Sequence, residues 1–353
     1  MTETDRSARR RARPGTGDGL DPAPLAPLST AGLRAAAPLV LIHGFLMSNA
    51  VWRTPALDRL IRGRDAAALP LPGHASWPLT KGERRAVASG DGGVIARCAA
   101  ALERAFERRP VDLVGHSAGA LVALELAGRR PDLVRSVFTL GAVASGAPDG
   151  RANAMARLAR APLIGPLAAR GALRWWLGGN TRFAAGLRTV SAPGRKIAGD
   201  RTALRRDAAR CDPRALRAML LWLLGRDLFE ICPRVAAPTC LCLGRRDPVS
   251  PPEHQLRILR ALPQGHAMML EVGHLPMLEA PETVAEALAG WLSRPDAPDD
   301  AETPIEAARN LDSQAHVAKH EGEAARVRPA CAMDAAQLAP LARQTSATGD
   351  ERP

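Results

Sequence analysis

Residues 111–127 read VDLVGHSAGALVALELA, and no other stretch restricts the fold of this chain as severely. A strand-like run leads straight into Gly-His-Ser-Ala-Gly, and an apolar helical pattern begins with no linker between them. A strand that turns into a helix so abruptly crowds its own backbone, so Gly115 and Gly119 supply positions without a Cβ. Ser117, at the apex, must take a strained conformation. Its Oγ would stand at the carboxyl edge of a sheet and beside a helix N-terminus, whose dipole favours developing negative charge. The stretch therefore asks for a sheet with helices packed on it and offers a candidate nucleophile.

The rest of the chain supplies such a sheet. Strand-like runs at 38–42, 66–71, 111–114, 134–140, 239–243 and 268–272 alternate with helical patterns at 50–62, 93–108, 118–128, 253–261 and 281–292. Alternation of this kind predicts an α/β fold with a doubly wound, mostly parallel sheet. It is interrupted between about 146 and 232, where no strand is evident and helix-like stretches occur at 152–163, 172–177 and 215–224. The expectation is an α-helical cap inserted into a domain spanning 37–295. Residues 1–36, rich in Arg and Pro, and 296–353, with short Ala-rich stretches at 302–310 and 331–342, read as mostly disordered ends.

Composition removes several classes. Apolar residues make up 46% of the 353, enough to bury a full core and too many for a disordered chain. The formal net charge is +12, yet the bases are nearly all Arg and no nucleic-acid-binding motif accompanies them, so no nucleic-acid partner is expected. The six cysteines lack the CxxC spacing of a zinc site, and neither metal nor cofactor is expected. No apolar run is long enough to span a membrane. The expected setting is cytoplasmic, with no membrane partner, as a monomer or homodimer. Tyrosine is absent, so no phenol can serve as acid, nucleophile or oxyanion donor.

A serine hydroxyl needs a base to attack at neutral pH, and the base needs an orienting acid. Asp247 lies just past the strand at 239–243, and His274 just past the strand at 268–272, so both are candidates for the edge that carries Ser117. An oxyanion hole requires two backbone N–H groups, here those of Ala118, after the nucleophile, and Phe45, after His43-Gly44. His43, Leu46, His116 and Leu275, beside these elements, are candidate substrate contacts, as are Trp175 and Trp176 of the insertion. Neighbouring residues on a helix face different ways, so at most one of the two tryptophans can line a pocket. Between residues 148 and 232 sixteen bases face six acids. The solvated faces of short Arg-rich helices account for this excess more readily than an anionic or carrier-bound acyl substrate does, and both readings stay open.

These residues together resemble the α/β-hydrolase superfamily, in its serine-nucleophile, cap-bearing esterase and lactonase branch. The order Ser117, Asp247, His274 is that superfamily's order. His43-Gly44-Phe45 is similar to its oxyanion motif, GHSAG to its elbow, and Leu71-Pro72-Gly73-His74 to the loop after the next strand. Pro70 and Ala75 depart from the usual acidic and glycine residues of that loop, and the hairpin expected before residue 38 is hard to discern. The resemblance implies hydrolysis of a small-molecule carboxylic ester, thioester or lactone through an acyl-enzyme on Ser117. Acyl transfer, C–C hydrolysis with the same triad, and non-catalytic ligand binding are the alternatives. Ser117 at the nucleophile position disfavours the aspartate-nucleophile epoxide hydrolases and dehalogenases.

Overall fold

The computed structural model describes residues 21–29, 36–90, 92–145, 160–161 and 164–294. The expected C-terminal tail, most of the N-terminal arm and most of the predicted helix at 152–163 therefore lie outside the described residues. Seven strands, β1 (Ala26–Ser29), β2 (Leu39–Ile42), β3 (Ala66–Ala68), β4 (Val111–His116), β5 (Val134–Leu140), β6 (Thr239–Gly244) and β7 (Gly265–Leu270), form one sheet. Their order is β1-β3-β2-β4-β5-β6-β7. All neighbours are parallel except β1, which runs antiparallel to β3 with Ala26 opposite Ala68. That short edge strand stands where the sequence made a hairpin hard to discern.

The central strands are buried on both faces, as parallel strands covered by helices must be. Along β2, Leu39 and Leu41 enter one apolar cluster and Val40 and Ile42 the other. Each such side chain contributes about 1.5–3 kcal/mol on burial. On one face pack α1 (Pro55–Arg62) and, late in the described chain, α11 (Pro281–Leu292); on the other pack α3 (Val94–Phe106) and α4 (Ala118–Arg129). Between β5 and β6 the described chain is helical, with α5 (Ile164–Leu177), α6 (Asn180–Thr189), α7 (Arg201–Ala209) and α8 (Pro213–Leu224). α9 (Pro252–Ala261) and the short α10 (Pro276–Glu279) complete the element order.

Several expectations need correction. The predicted helix at 50–62 is a 3-10 turn, Asn49–Trp52, followed by α1, because Thr54 precedes Pro55 and takes an extended conformation at φ −93°. The last strand starts three residues earlier and ends two residues earlier than its apolar run implied, since pairing with β6 sets Thr239 opposite Gly265. As an edge strand, β7 stays half-exposed over most of its length and tolerates polar residues. Helix α2 (Lys81–Ser89) escaped the periodicity because only Val87 is buried. Its legible signal was local: Thr80 accepts from the Glu83 N–H, and the Glu83 side chain accepts from the Thr80 N–H, a capping box.

Candidate active site

The six parallel strands, β2 to β7, end on one edge of the sheet, and the loops that follow them converge there. Ser117, after β4, has φ 51° and ψ −116°, a costly conformation for a residue with a side chain. Its neighbours explain how the turn is possible. A Cβ on Gly115 would lie 2.5 Å from Ala120 Cα, and one on Gly119 would run into the Ile42 carbonyl oxygen. The local crowding expected from the sequence is thus met by backbone from β2 and α4.

Ser117 Oγ donates to His274 Nε2 at 2.9 Å, and His274 Nδ1 donates to Asp247 Oδ2 at 2.8 Å. The second carboxylate oxygen of Asp247 accepts from the Val249 and Ser250 N–H groups, both at 2.8 Å. Asp247 and His274 are buried while Ser117 is half-buried. Gly141, just after β5, has φ 55°, and a Cβ there would sit 3.0 Å from His274 Nδ1 and 3.1 Å from Asp247 Oδ2. It leaves room for the pair, and sequence reasoning missed it.

The loop after β2 lies against the serine: a Cβ on Gly44 would be 3.2 Å from Ser117 Cβ. Two buried imidazoles hold this loop. His43 Nδ1 donates to the Gly44 carbonyl at 2.9 Å, and its Nε2 accepts from the Leu71 N–H at 3.4 Å. His74 Nε2 accepts from the Leu46 N–H at 3.1 Å, steadying Leu46 at φ 62°. Among the described residues, neither the Phe45 nor the Ala118 N–H donates to a backbone carbonyl. Burial pushes the His43 imidazole down to about 4 and that of His74 to about 3, the latter helped by its proximity to His43. Both rings are therefore neutral at pH 7, as their acceptor roles require.

The expected substrate contacts divide. His43, His116 and Leu275 are buried and serve as framework. His116 Nε2 donates to the His274 carbonyl at 2.8 Å, and burial holds its imidazole well below the usual range. Trp175 is 64% exposed. Trp176, one position and about 100° further round the helix, packs on Phe183 with ring centroids 4.9 Å apart. Leu46 remains half-buried in the loop.

Glu279 carries no motif that flagged it, yet its buried carboxylate accepts from the N–H groups of Ala192, Gly273 and Leu275 at 2.9, 2.8 and 3.0 Å. It thereby clasps the backbone on both sides of His274. The helical segment between β5 and β6 also reaches this edge. The His274 N–H donates to the Val190 carbonyl at 2.7 Å, and Ser48 Oγ donates to Asp207 Oδ2 at 2.9 Å. A groove of about 460 Å³ elsewhere, lined by Val94, Glu125, Trp222 and Arg226 among others, includes none of these residues.

Comparison with known proteins finds hydrolases among the relatives of this chain. The chain is 28% identical over 252 residues to a pimeloyl-[acyl-carrier protein] methyl ester esterase of Neisseria meningitidis, covering 69% of this chain and 88% of that protein. It is 27% identical over 262 residues to an (E)-2-((N-methylformamido)methylene)succinate hydrolase of Acinetobacter baylyi, covering 72% and 90%. The enol-lactonase of Burkholderia xenovorans has a similar fold, with a TM-score of 0.57 at 17% identity over 77% of this chain and 96% of that one. The pattern of the alpha/beta hydrolase family matches residues 39–287, and the chain belongs to that family.

Proposed function

We propose that the protein hydrolyses a carboxylic ester, thioester or lactone through an acyl-enzyme on Ser117. The observation that carries this reading is the unbroken hydrogen-bond chain from Ser117 Oγ through both nitrogens of His274 to Asp247. In the first half-reaction Ser117 Oγ attacks the substrate carbonyl carbon while its proton passes to His274 Nε2. The oxyanion that forms is met by the N–H groups of Phe45 and Ala118. Collapse breaks the bond to the leaving group, which takes the proton from His274. A water molecule then repeats the sequence on the acyl-enzyme, giving its proton to His274 and freeing the acid and Ser117. Asp247 keeps the imidazole in the tautomer with its proton on Nδ1 and stabilises the imidazolium.

Helices α5 to α8 form a cap in this reading, supported by the contacts of Val190 and Asp207 with the loops around the site. The names of the Neisseria relatives favour a methyl ester or a carrier-bound acyl group as a second, narrower reading of the substrate. Labelling of Ser117 by a fluorophosphonate tests the chemistry. Labelling and ester hydrolysis that both disappear in Ser117→Ala are expected; labelling that persists in that variant would overturn the assignment. A panel of short esters, lactones, acyl thioesters and carrier-bound methyl esters then ranks substrates by kcat/KM.

A further inference from the structure

Helix α5 turns one apolar stripe to water. At about 100° per residue, Ile164, Leu167, Gly171 and Trp175 fall on one stripe, while Trp176, on another side, packs against Phe183. Ile164, Leu167 and Trp175 are 64%, 71% and 64% exposed, and they are the exposed large hydrophobic residues of the described chain. Isolated exposed apolar residues need no explanation, but three on one helix stripe do. Arg170 and Arg174 flank the stripe on one side and are exposed. The Arg182 guanidinium lies 5.8 Å from the centre of the Trp175 ring. Residues 164–199 contain six bases and no acid, and among the described residues no ion pair engages Arg170, Arg174, Arg182 or Arg188.

We propose that this face of α5 docks on an anionic lipid surface. Large apolar residues including a tryptophan, set beside a row of arginines, match a helix lying in the headgroup region: the apolar stripe enters while the guanidinium groups meet phosphates. Charge complementarity selects this occupant over a second copy of the chain, because pairing two such faces would set arginines against arginines with no acid to neutralise them. No helix among the described residues is long and apolar enough to cross a membrane, so the contact is peripheral. The sequence by itself had led to the expectation of no membrane partner. The inference does not depend on the chemistry at Ser117.

The test uses the full chain with vesicles of phosphatidylcholine, alone or mixed with phosphatidylserine. Wild-type protein is expected to sediment with the mixed vesicles and to be released as salt is raised. Ile164→Ser/Leu167→Ser leaves every charge in place, and Arg170→Glu/Arg174→Glu leaves every apolar residue in place. Each double variant should lower the partition coefficient at least about tenfold, with a thermal unfolding transition like that of the wild type showing that the fold is kept. Wild-type protein that stays in the supernatant overturns the proposal. So do double variants that sediment like the wild type, which would move binding to another basic segment. Retention on polyglutamate without vesicle binding would identify an acidic protein as the partner and overturn it as well. A wild-type dimer that Ile164→Ser/Leu167→Ser dissociates, with no vesicle binding, would assign the face to self-association instead.

Discussion

Glu279 and Asp247 serve His274 from opposite directions, one holding its backbone and the other its ring, and their replacement should separate accordingly. Asp247→Asn keeps the shape but disturbs the tautomer, and kcat should fall by about 10⁴. Ser117→Ala and His274→Ala should each cost about as much as the double variant, because the two side chains act as one unit; costs that add would refute the shared mechanism. Glu279→Gln presents an amide NH₂ toward backbone donors that now meet carboxylate oxygens. An unmet buried donor costs roughly 1–3 kcal/mol. A loss of kcat of at least about tenfold is expected, since roughly 1.4 kcal/mol of misplacement suffices, with slower fluorophosphonate labelling. Labelling at the wild-type rate would leave Glu279 a purely structural part.

Among the elements, α2 and α4 show two ways in which a helix start is written. For α4 the strand, the glycines and the serine are contiguous, and the whole unit was legible. For α2 the apolar face is too thin for periodicity to register, and its capping box alone marks it. Thr80→Ala removes the acceptor for the Glu83 N–H, so the protein should lose about 1 kcal/mol of stability, read as a lower urea midpoint. An unchanged midpoint would mean that packing against α8, rather than the cap, holds α2 in place. Gly119→Ala should be far worse, because a Cβ there meets the Ile42 carbonyl oxygen; soluble, active protein carrying it would contradict the crowding at the elbow.

For the whole molecule, the buried neutral histidines couple folding to pH. In the unfolded chain an imidazole takes up its proton near pH 6.5, whereas His43 and His74 resist it down to about 4 and about 3 in the folded protein, and His116 is likewise depressed. The unfolded state therefore binds more protons below pH 6.5, so this contribution is complete above that pH and is lost as pH falls. Each such group adds a slope of about 1.4 kcal/mol per pH unit. Urea midpoints should drop steadily from pH 6.5 to 5, before most carboxylates titrate, and His74→Gln should flatten the decline. Constant midpoints over that range would show that these rings are not held neutral.

What the sequence determined by itself is what its neighbours along the chain dictate. The elbow at Ser117 was legible because a tight turn, two glycines and the flanking strand and helix are all local. The order Ser117, Asp247, His274 was legible because each follows a strand-like run, and parallel strands bring their carboxyl ends to one edge. What a side chain meets from a distant part of the chain was not legible. His43 and His116 read as substrate contacts until the backbone of Leu71 and of His274 was seen to engage their nitrogens. Glu279 had no motif because the clasp is completed by Ala192, which comes from the distant helical segment. Periodicity also marks an apolar stripe without saying which side faces the core. Whether Trp175 or Trp176 turns inward depends on what packs against α5, so the tertiary structure alone decided that the stripe of Ile164, Leu167 and Trp175 faces water.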